Sequence, residues 1–235
     1  MCERFHKPCR PVVRAAAEPV AAQRFVARKI SESTIRRLSL YLRVLEAFER
    51  RGAETVSSEE LAEHGGTTAA QVRKDLSLFG SFGKRGLGYA VPELAAQLRG
   101  ILGLGRRWKV ALVGAGRVGS ALFEYPGFRR RGFEIVAVVD SDPEKVGRRW
   151  GGVTIESADD LEAVVRREGA EILVLAVPAE AVQEVLDRAV AGGVRGVLNF
   201  APAQLRAPDD VVVKDVNMVM ELEALSFALS QPGDA

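Results

Sequence analysis

The sequence predicts an α/β protein in which an N-terminal winged-helix unit precedes a doubly wound parallel sheet and a C-terminal helix. Three observations predict this fold. Apolar residues repeat at helical spacing within residues 35–79. From Trp108 onward, short apolar runs typical of buried strands alternate with helical patterns, as in a parallel sheet with crossover helices. A Gly-x-Gly-x-x-Gly motif lies where the first of these runs passes into a helix.

The composition is that of an ordinary globular chain. Its 235 residues are 47% apolar and 27% charged, with a net charge of +2, so a nucleic-acid site would need local clustering of positive charge. The sequence has no run of 18 apolar residues and no apolar segment of the secretory type near its start. Cys2 and Cys9 are its only cysteines, so we expect a folded part without disulfides in a reducing cytoplasm.

Residues 1–29 are predicted to be a disordered basic arm. They hold three prolines and seven Lys or Arg residues against two Glu. Cys2, His6 and Cys9 are of metal-binding types, but with no fourth partner we interpret them as incidental and expect no metal site. Such an arm adds non-specific attraction to a polyanion.

Residues 30–92 are predicted to form three short helices followed by a wing. A Ser57-x-x-Glu60 capping box opens the second helix, and Thr68-x-x-Gln71 opens the third after a glycine turn, which is the pattern of a helix-turn-helix. Four glycines surround Lys84-Arg85 in the next segment, which we interpret as a β-hairpin with a basic tip suited to the minor groove.

The third helix is the candidate DNA reader. Val72 and Leu76 share an apolar face, while the opposite face is small, polar and basic, as insertion into a major groove requires. The alternative is an ordinary solvated face. The helix and wing together hold four cations against one acid, Asp75, which favours DNA. The expected DNA contacts are Thr68, Gln71, Arg73, Lys74, Ser77, Lys84 and Arg85.

Residues 93–107 are predicted to be a linker helix, and residues 108–216 a Rossmann-like domain that binds a dinucleotide. Gly114 allows a tight turn, Gly116 lets a pyrophosphate approach the backbone, and Gly119 lets the next helix pack closely. Asp140 ends the following strand, 21 residues past Gly119, where an acid binds a ribose diol and repels a 2′-phosphate. This favours NAD(H) over NADP(H); the alternative is a βαβ unit without a ligand. The expected cofactor contacts here are Gly114, Ala115, Gly116, Arg117, Val118, Gly119 and Asp140.

Further strands and helices complete the predicted sheet. Strands are expected near residues 153–155, 172–177, 194–199 and 211–213, with helices over residues 159–168 and from Pro178 to Ala189. Residues 217–235 are predicted to be a C-terminal helix and tail. The apolar stripe of that helix (Met218, Leu222, Leu225 and Leu229) needs a partner, which is either the chain's own core or a second subunit.

Several motifs agree in order with one known family. They are residues 71–76 (QVRKDL), 83–89 (GKRGLGY), 114–122 (GAGRVGSAL), 140–143 (DSDP) and 198–202 (LNFAP). Over roughly residues 30–231 the chain resembles the Rex family of redox-sensing transcriptional repressors. The resemblance implies a homodimer that exchanges its C-terminal helices and binds inverted-repeat operator DNA. It also implies that NADH releases the protein from DNA while NAD⁺ does so poorly.

The resemblance also implies a nicotinamide site and a switch contact. Tyr125 would lie near the nicotinamide, and Met218 would contact the nicotinamide face. We expect Phe200 to complete with them an apolar slot that accepts neutral dihydronicotinamide more readily than the cation. Arg43 would pair, in one ligand state, with an Asp that heads the last helix. This sequence has Asn217 at that position, so the contact is weaker here or is made by Asp215.

Two other functions remain open from the sequence. An NAD-dependent oxidoreductase needs an acid or base near the nicotinamide, yet the histidines are His6 and His64 and the sheet domain has no Cys. Tyr125 or a carboxylate could still serve, but we assign no catalytic residue. A coenzyme A ligand is the other alternative, because the glycine motif alone does not separate it from NAD(H); Asp140 favours the free ribose diol of NAD(H).

Overall fold

The structure is a computed structural model that describes residues 30–83 and 86–230. The basic arm, the wing tip with Lys84 and Arg85, and residues 231–235 lie outside the described residues. The N-terminal unit consists of α1 (Glu32–Arg50), β1 (Thr55–Val56), α2 (Ser58–Gly65), α3 (Ala69–Ser77), β2 (Tyr89–Ala90) and α4 (Val91–Ile101).

Side-chain caps fix where the N-terminal helices begin. Ser31 accepts the N–H of Thr34 at the start of α1, and Thr68 accepts that of Gln71 at the start of α3. Ser57 and Glu60 form the predicted capping box at α2. The helix-turn-helix start signals therefore act as the sequence indicates.

The N-terminal core includes a helix that we expected to be a linker. Leu94 and Leu98 of α4 are buried in one cluster with Leu38 of α1 and Leu76 of α3. The connection between the two units is therefore the shorter segment 102–107. The wing also differs from the expected hairpin, because β2 pairs antiparallel with β1, a two-residue strand that no periodicity indicates.

The second unit is built on a seven-stranded sheet in the order β5-β6-β4-β3-β7-β8-β9. All neighbouring strands are parallel except the edge strand β5, which is antiparallel to β6. Without β5 this is the doubly wound order 3-2-1-4-5-6, whose switch point lies between β3 and β7. The strands are β3 (Trp108–Val113), β4 (Phe133–Asp140), β5 (Arg149–Trp150), β6 (Val153–Ser157), β7 (Ile172–Leu175), β8 (Gly196–Asn199) and β9 (Val212–Asp215).

Helices cover the two faces of this sheet unequally. The helices are α5 (Arg117–Glu124), α6 (Pro126–Arg130), α7 (Leu161–Glu168), α8 (Val182–Gly192) and α9 (Met218–Ser230). One face is buried by α7 and α8, through residues such as Leu161 and Leu186. On the other face, an open apolar cavity of about 330 Å³ follows strands β7 to β9 and is lined by Ile172, Val174 and Leu198. The sheet is thus incompletely covered by the described chain.

Two sequence predictions are corrected here. The helix expected to begin at Pro178 begins at Val182, since residues 178–181 form a turn closed by a hydrogen bond from Ala181 N–H to Pro178 C=O. The sheet is mixed rather than wholly parallel, because its edge strand β5 is antiparallel to β6. The sequence analysis did not predict this strand. Within the described ranges, no helix combines the length and apolar content needed to cross a membrane.

Candidate nucleotide and DNA sites

The glycine-rich turn after β3 has the geometry that a pyrophosphate needs. Gly114 has φ +101° and adjoins Ala176, so a side chain there would overlap the Ala176 carbonyl group. A Cβ at Gly119 would overlap the Gly114 carbonyl oxygen, whereas one at Gly116 would meet open space. No side chain caps α5, which leaves its first amides for a ligand. Arg117 and Val118 are exposed beside that space, and Ala115 is buried.

Asp140 is bound to the same turn. Its Oδ2 accepts the N–H of Ala115 at 2.6 Å, and its Oδ1 accepts that of Asp142 at 2.8 Å. Lys145 Nζ lies 3.3 Å from Oδ2. Although desolvation opposes it, hydrogen bonds to Asp140 and Asp142 raise the pKa of Lys145. The carboxylate therefore orders the turn in addition to any contact with a ribose, a role that the sequence analysis did not anticipate.

Tyr125 stands at the opening of a separate cavity. The ring is 55% exposed and packs edge-on against Phe128 at 5.4 Å. A side chain at Gly127 would overlap the Tyr125 ring, so this glycine is what lets the ring lie where it does. The cavity beside Tyr125 measures about 670 Å³ and is lined by neither Phe200 nor Met218. Phe200 is half-buried against the sheet and Met218 is 64% exposed, so the described single chain does not assemble the three-residue slot.

The predicted switch residues are each used differently in this conformation. Asn217 caps α9, since its Oδ1 accepts the N–H groups of Val219 and Met220 at 3.0 and 3.3 Å. Asp215 Oδ1 accepts from Asn199 Nδ2 at 2.8 Å. Arg43 is exposed, and its guanidinium has no hydrogen-bond or ion-pair partner among the described residues. Arg43 is therefore free to pair in another arrangement.

Asn199 is a positioning residue to which the sequence analysis gave no role. It is fully buried at the end of β8, and its amide also donates to the carbonyl groups of Ala201 and Ala203. Its oxygen accepts the N–H of Ala201. One side chain thus joins the loop after β8 to the residues that lead into α9. A polar residue at the carboxyl end of a buried strand was the available indication.

On α3, Lys74 is the cation that points freely into solvent. It is exposed and its side chain has no hydrogen-bond or ion-pair partner among the described residues. Arg73 is also exposed, but it donates to Ser58 at 2.7 Å and to Glu59 at 3.2 Å. Thr68 caps the helix, and Ser77 donates to the Lys74 carbonyl group at 2.7 Å. The outward face of α3 is small, polar and basic as predicted.

Asp75 was counted as an acid of that surface, but it is buried. The residue as a whole is 1% exposed. Its carboxylate accepts hydrogen bonds from Arg37 at 2.6 and 2.8 Å, Tyr41 at 3.0 Å and Gln71 at 2.8 Å. Burial opposes ionisation, yet these donors hold the pKa of Asp75 below its usual value. Burial, followed by the bond to Asp75, raises the pKa of Tyr41 to about 12. Gln71, expected at DNA, here joins α3 to this network.

Within the described ranges, no group of three or more His, Cys, Asp or Glu side chains is placed to hold a metal ion. Cys2, His6 and Cys9 lie outside those ranges.

Comparison with known proteins decides the family. A family model described as "Putative DNA-binding protein N-terminus" matches residues 29–77, and one described as "CoA binding domain" matches residues 106–203. The redox-sensing transcriptional repressor Rex of Carboxydothermus hydrogenoformans is 50% identical over 199 residues, which cover 85% of this chain and 96% of the relative. This chain belongs to the Rex family. Rex of Thermus thermophilus is likewise 50% identical, over 87% of this chain and 96% of its own.

Solved structures of a Rex-family repressor, RSP, share the fold. RSP in complex with β-NAD⁺ and operator DNA gives a TM-score of 0.82 at 36% identity, covering 85% of this chain and 92% of RSP. RSP in complex with β-NADH gives 0.78 at 33% identity, covering 86% and 95%. The predicted family and fold class are confirmed. The Rex relatives are named as transcriptional repressors rather than enzymes, which agrees with the absence of an assigned catalytic residue.

Proposed function

We propose that this chain is a transcriptional repressor that binds an inverted-repeat operator as a homodimer and is released by NADH. The observation that carries the proposal is that one Rex-type chain joins α3, with Lys74 free in solvent, to an uncapped glycine turn on a doubly wound sheet. The Rex-family repressor RSP has been solved with β-NAD⁺ and operator DNA and with β-NADH. We assign the same two ligand types, operator DNA and NAD(H), to the two sites described above.

The coupling between the sites follows from linkage. A ligand alters DNA affinity only if it binds the DNA-competent and released arrangements unequally. Neutral dihydronicotinamide is accepted by an apolar slot that cationic nicotinamide enters at greater cost. Closing the slot rotates the two α3 helices away from the spacing of successive major grooves. NADH is therefore the releasing ligand and NAD⁺ the weaker, competing one.

The dimer is supported by two exposed apolar surfaces. Every residue of α9 is exposed, including Leu225 at 59% and Phe227 at 67%, so the stripe does not pack on the described part of its own chain. The apolar face along β7 to β9 is open. Exposed surfaces of this kind mark interfaces. We place α9 of a second copy against this face, and the exchanged helix then brings Met218 towards the slot at Tyr125.

Operator DNA and a dinucleotide pool must share the compartment in which such a repressor works. We therefore place the protein in the cytoplasm, in agreement with the cysteine content of the sequence.

Coenzyme A is the second candidate ligand, because the "CoA binding domain" model covers the glycine turn and Asp140. Asp140 is an anion at the end of β4, where the 3′-phosphate of coenzyme A would meet like charge. NAD(H) has a free diol there and avoids that cost.

The test is a titration of the protein on a fluorescent duplex with an inverted repeat, at fixed salt because phosphate contacts make the affinity salt-dependent. We expect NADH to displace the protein, and NAD⁺ and coenzyme A to fail at equal concentration. Lys74→Ala should weaken operator binding without changing NADH affinity. Glu63→Gln is the control, since Glu63 is exposed on α2. Displacement by coenzyme A alone, or by no nucleotide, would reject the proposal.

A further inference from the structure

A second cavity lies at the junction of the two units, away from the glycine turn. It measures about 450 Å³ and is lined from α4, the connecting segment 102–107 and the end of α6. The glycine turn follows the carboxyl end of β3, whereas Arg107 and Gly132 precede the amino ends of β3 and β4. Since β3 has six residues, the two places are about 20 Å apart. The cavity is therefore distinct from the glycine turn, although Arg129 and Arg130 also line the cavity beside Tyr125.

Arginines dominate the lining of this cavity. The one carboxylate among its lining residues is Glu46 of α1. The lining arginines are Arg99, Arg106, Arg107, Arg129, Arg130 and Arg131.

Three of these arginines already have strong partners. Arg131 binds Glu46 with two hydrogen bonds of 2.9 Å. Arg99 lies 3.2 Å from Glu49 and 3.5 Å from Glu46. Arg106 binds Glu171 at 3.0 and 2.8 Å and stacks on the Trp108 ring at 3.5 Å. These contacts hold the lining arginines in place, and they pair the carboxylate of Glu46, the one acidic group of the lining.

The remaining arginines are available. Arg107 approaches Glu134 only at 3.8 Å. Arg129 and Arg130 are exposed, and their guanidinium groups have no hydrogen-bond or ion-pair partner among the described residues. A guanidinium cannot shed its proton to relieve repulsion from its neighbours, so an anion bound between these groups lowers a repulsion that solvent and salt otherwise only screen.

We propose that this cavity binds an oligophosphate, a ligand with at least two adjacent phosphate groups. The planar fork of arginine matches phosphate oxygens bidentately, and three incompletely paired forks suit a chain of phosphates better than a single carboxylate. A concave site of this volume suits a small ligand rather than a straight duplex backbone. Because Arg107 belongs to the connecting segment and Arg129 and Arg130 to the sheet unit, the ligand would bridge that segment and the sheet unit.

The test is calorimetric titration of inorganic tripolyphosphate into the full chain held saturated with NADH, which blocks the glycine turn, at about 0.15 M salt. We expect Arg129→Ala/Arg130→Ala to weaken tripolyphosphate binding at least about tenfold. The lysine pair Arg129→Lys/Arg130→Lys should give an intermediate affinity, because it keeps the charge without the fork. ATP is titrated in parallel; tighter binding than tripolyphosphate identifies a nucleotide source, and equal binding an inorganic one.

The matched control is Arg51→Ala/Arg206→Ala, which removes two charges at positions that do not line the cavity. It should change tripolyphosphate affinity less than about twofold, since distant exposed charges are screened. Equal losses of tripolyphosphate affinity in the Arg129/Arg130 variant and the control variant would overturn the proposal. The absence of tripolyphosphate binding by the unmodified chain would also overturn it. So would weakened operator binding by the Arg129/Arg130 pair without any oligophosphate, since that result would assign these arginines to DNA. NADH affinity is measured for every variant, so that a loss of tripolyphosphate binding can be told apart from failure of the nucleotide site.

Discussion

At the residue scale, Asp75 holds the DNA-reading helix to the rest of its unit. The ion pair with Arg37 is 2% exposed on the Asp75 side and 25% on the Arg37 side. Removing one member of a buried pair leaves the other without compensation. We expect Asp75→Asn to lower the free energy of unfolding by about 3 kcal/mol. This is a small loss for a broken buried ion pair, because Arg37 stays partly hydrated. Urea unfolding at pH 7 measures it, with Glu63→Gln as the control.

The same carboxylate gives a defined pH dependence. Its pKa is lowered in the folded state, so its contribution to stability is complete above the unfolded pKa of about 4 and is lost as the pH falls through the lowered value. Between pH 5 and pH 3 on the acid side, the stability of Asp75→Asn should therefore decline less steeply than that of the unmodified chain. If the stabilities of the two proteins fell in parallel over this pH range, Asp75 would make no pH-dependent contribution to stability.

Two glycines of the turn separate ligand binding from folding. A methyl group at Gly116 meets open space where the pyrophosphate is expected, whereas one at Gly119 overlaps the Gly114 carbonyl group. Gly116→Ala should therefore weaken NADH binding at least about tenfold with little change in melting temperature, and Gly119→Ala should lower both. Thermal unfolding without nucleotide and NADH titration of each variant measure this. A Gly116→Ala protein with full NADH affinity would place the phosphates elsewhere.

At the element scale, this chain departs from the switch contact that the resemblance implies at the N-terminus of α9, where Asn217 stands in place of Asp. Asn217 caps the helix here, and Asp caps as well as Asn. We expect Asn217→Asp to keep the fold and to add a charge that pairs with the free Arg43. The NADH concentration for half-release from operator should shift about fivefold, a coupling of about 1 kcal/mol.

Arg43→Ala in the Asn217→Asp background completes a double-mutant cycle. The shift should disappear in the double variant. A shift of equal size with and without Arg43 would mean that the new carboxylate acts on another partner.

Elements with strong periodicity or cap chemistry were predictable from the sequence, and short ones were not. Ser57, Thr68 and the glycine motif mark helix starts by local chemistry, so α2, α3 and α5 agree with prediction. The two-residue strands β1 and β5 are fixed by pairing with other strands, which no local pattern reveals. The burial of Asp75 depends on Arg37, 38 residues away along the chain, and was unpredictable for the same reason.

At the scale of the whole molecule, the exposed α9 and the open sheet face are the surfaces that we propose a second copy covers. Leu225 lies on the apolar stripe, whereas Glu223 lies off it. Leu225→Lys should convert the dimer to a monomer by burying an unpaired charge, and Glu223→Lys should leave it dimeric. Sedimentation equilibrium at micromolar concentration measures this, with circular dichroism to verify folding. A dimeric, folded Leu225→Lys protein would place the interface elsewhere.

Ion pairs also join the two units within one chain. Glu32 of α1 meets Lys214 of β9 at 2.8 Å, and Glu46 of α1 meets Arg131 at 2.9 Å. The sequence predicted which half binds which ligand, but these contacts between units arise only in the folded chain. We propose that they are places where a change at the nucleotide site reaches the winged helix.

The central claim is that NADH and operator DNA oppose each other through one equilibrium. The most direct measurement is the dissociation constant of NADH with and without saturating operator duplex, at the same salt. Linkage requires operator to weaken NADH binding by the same factor by which NADH weakens operator binding, with a smaller factor for NAD⁺. Equal NADH affinity for the free and the DNA-bound protein would contradict the account.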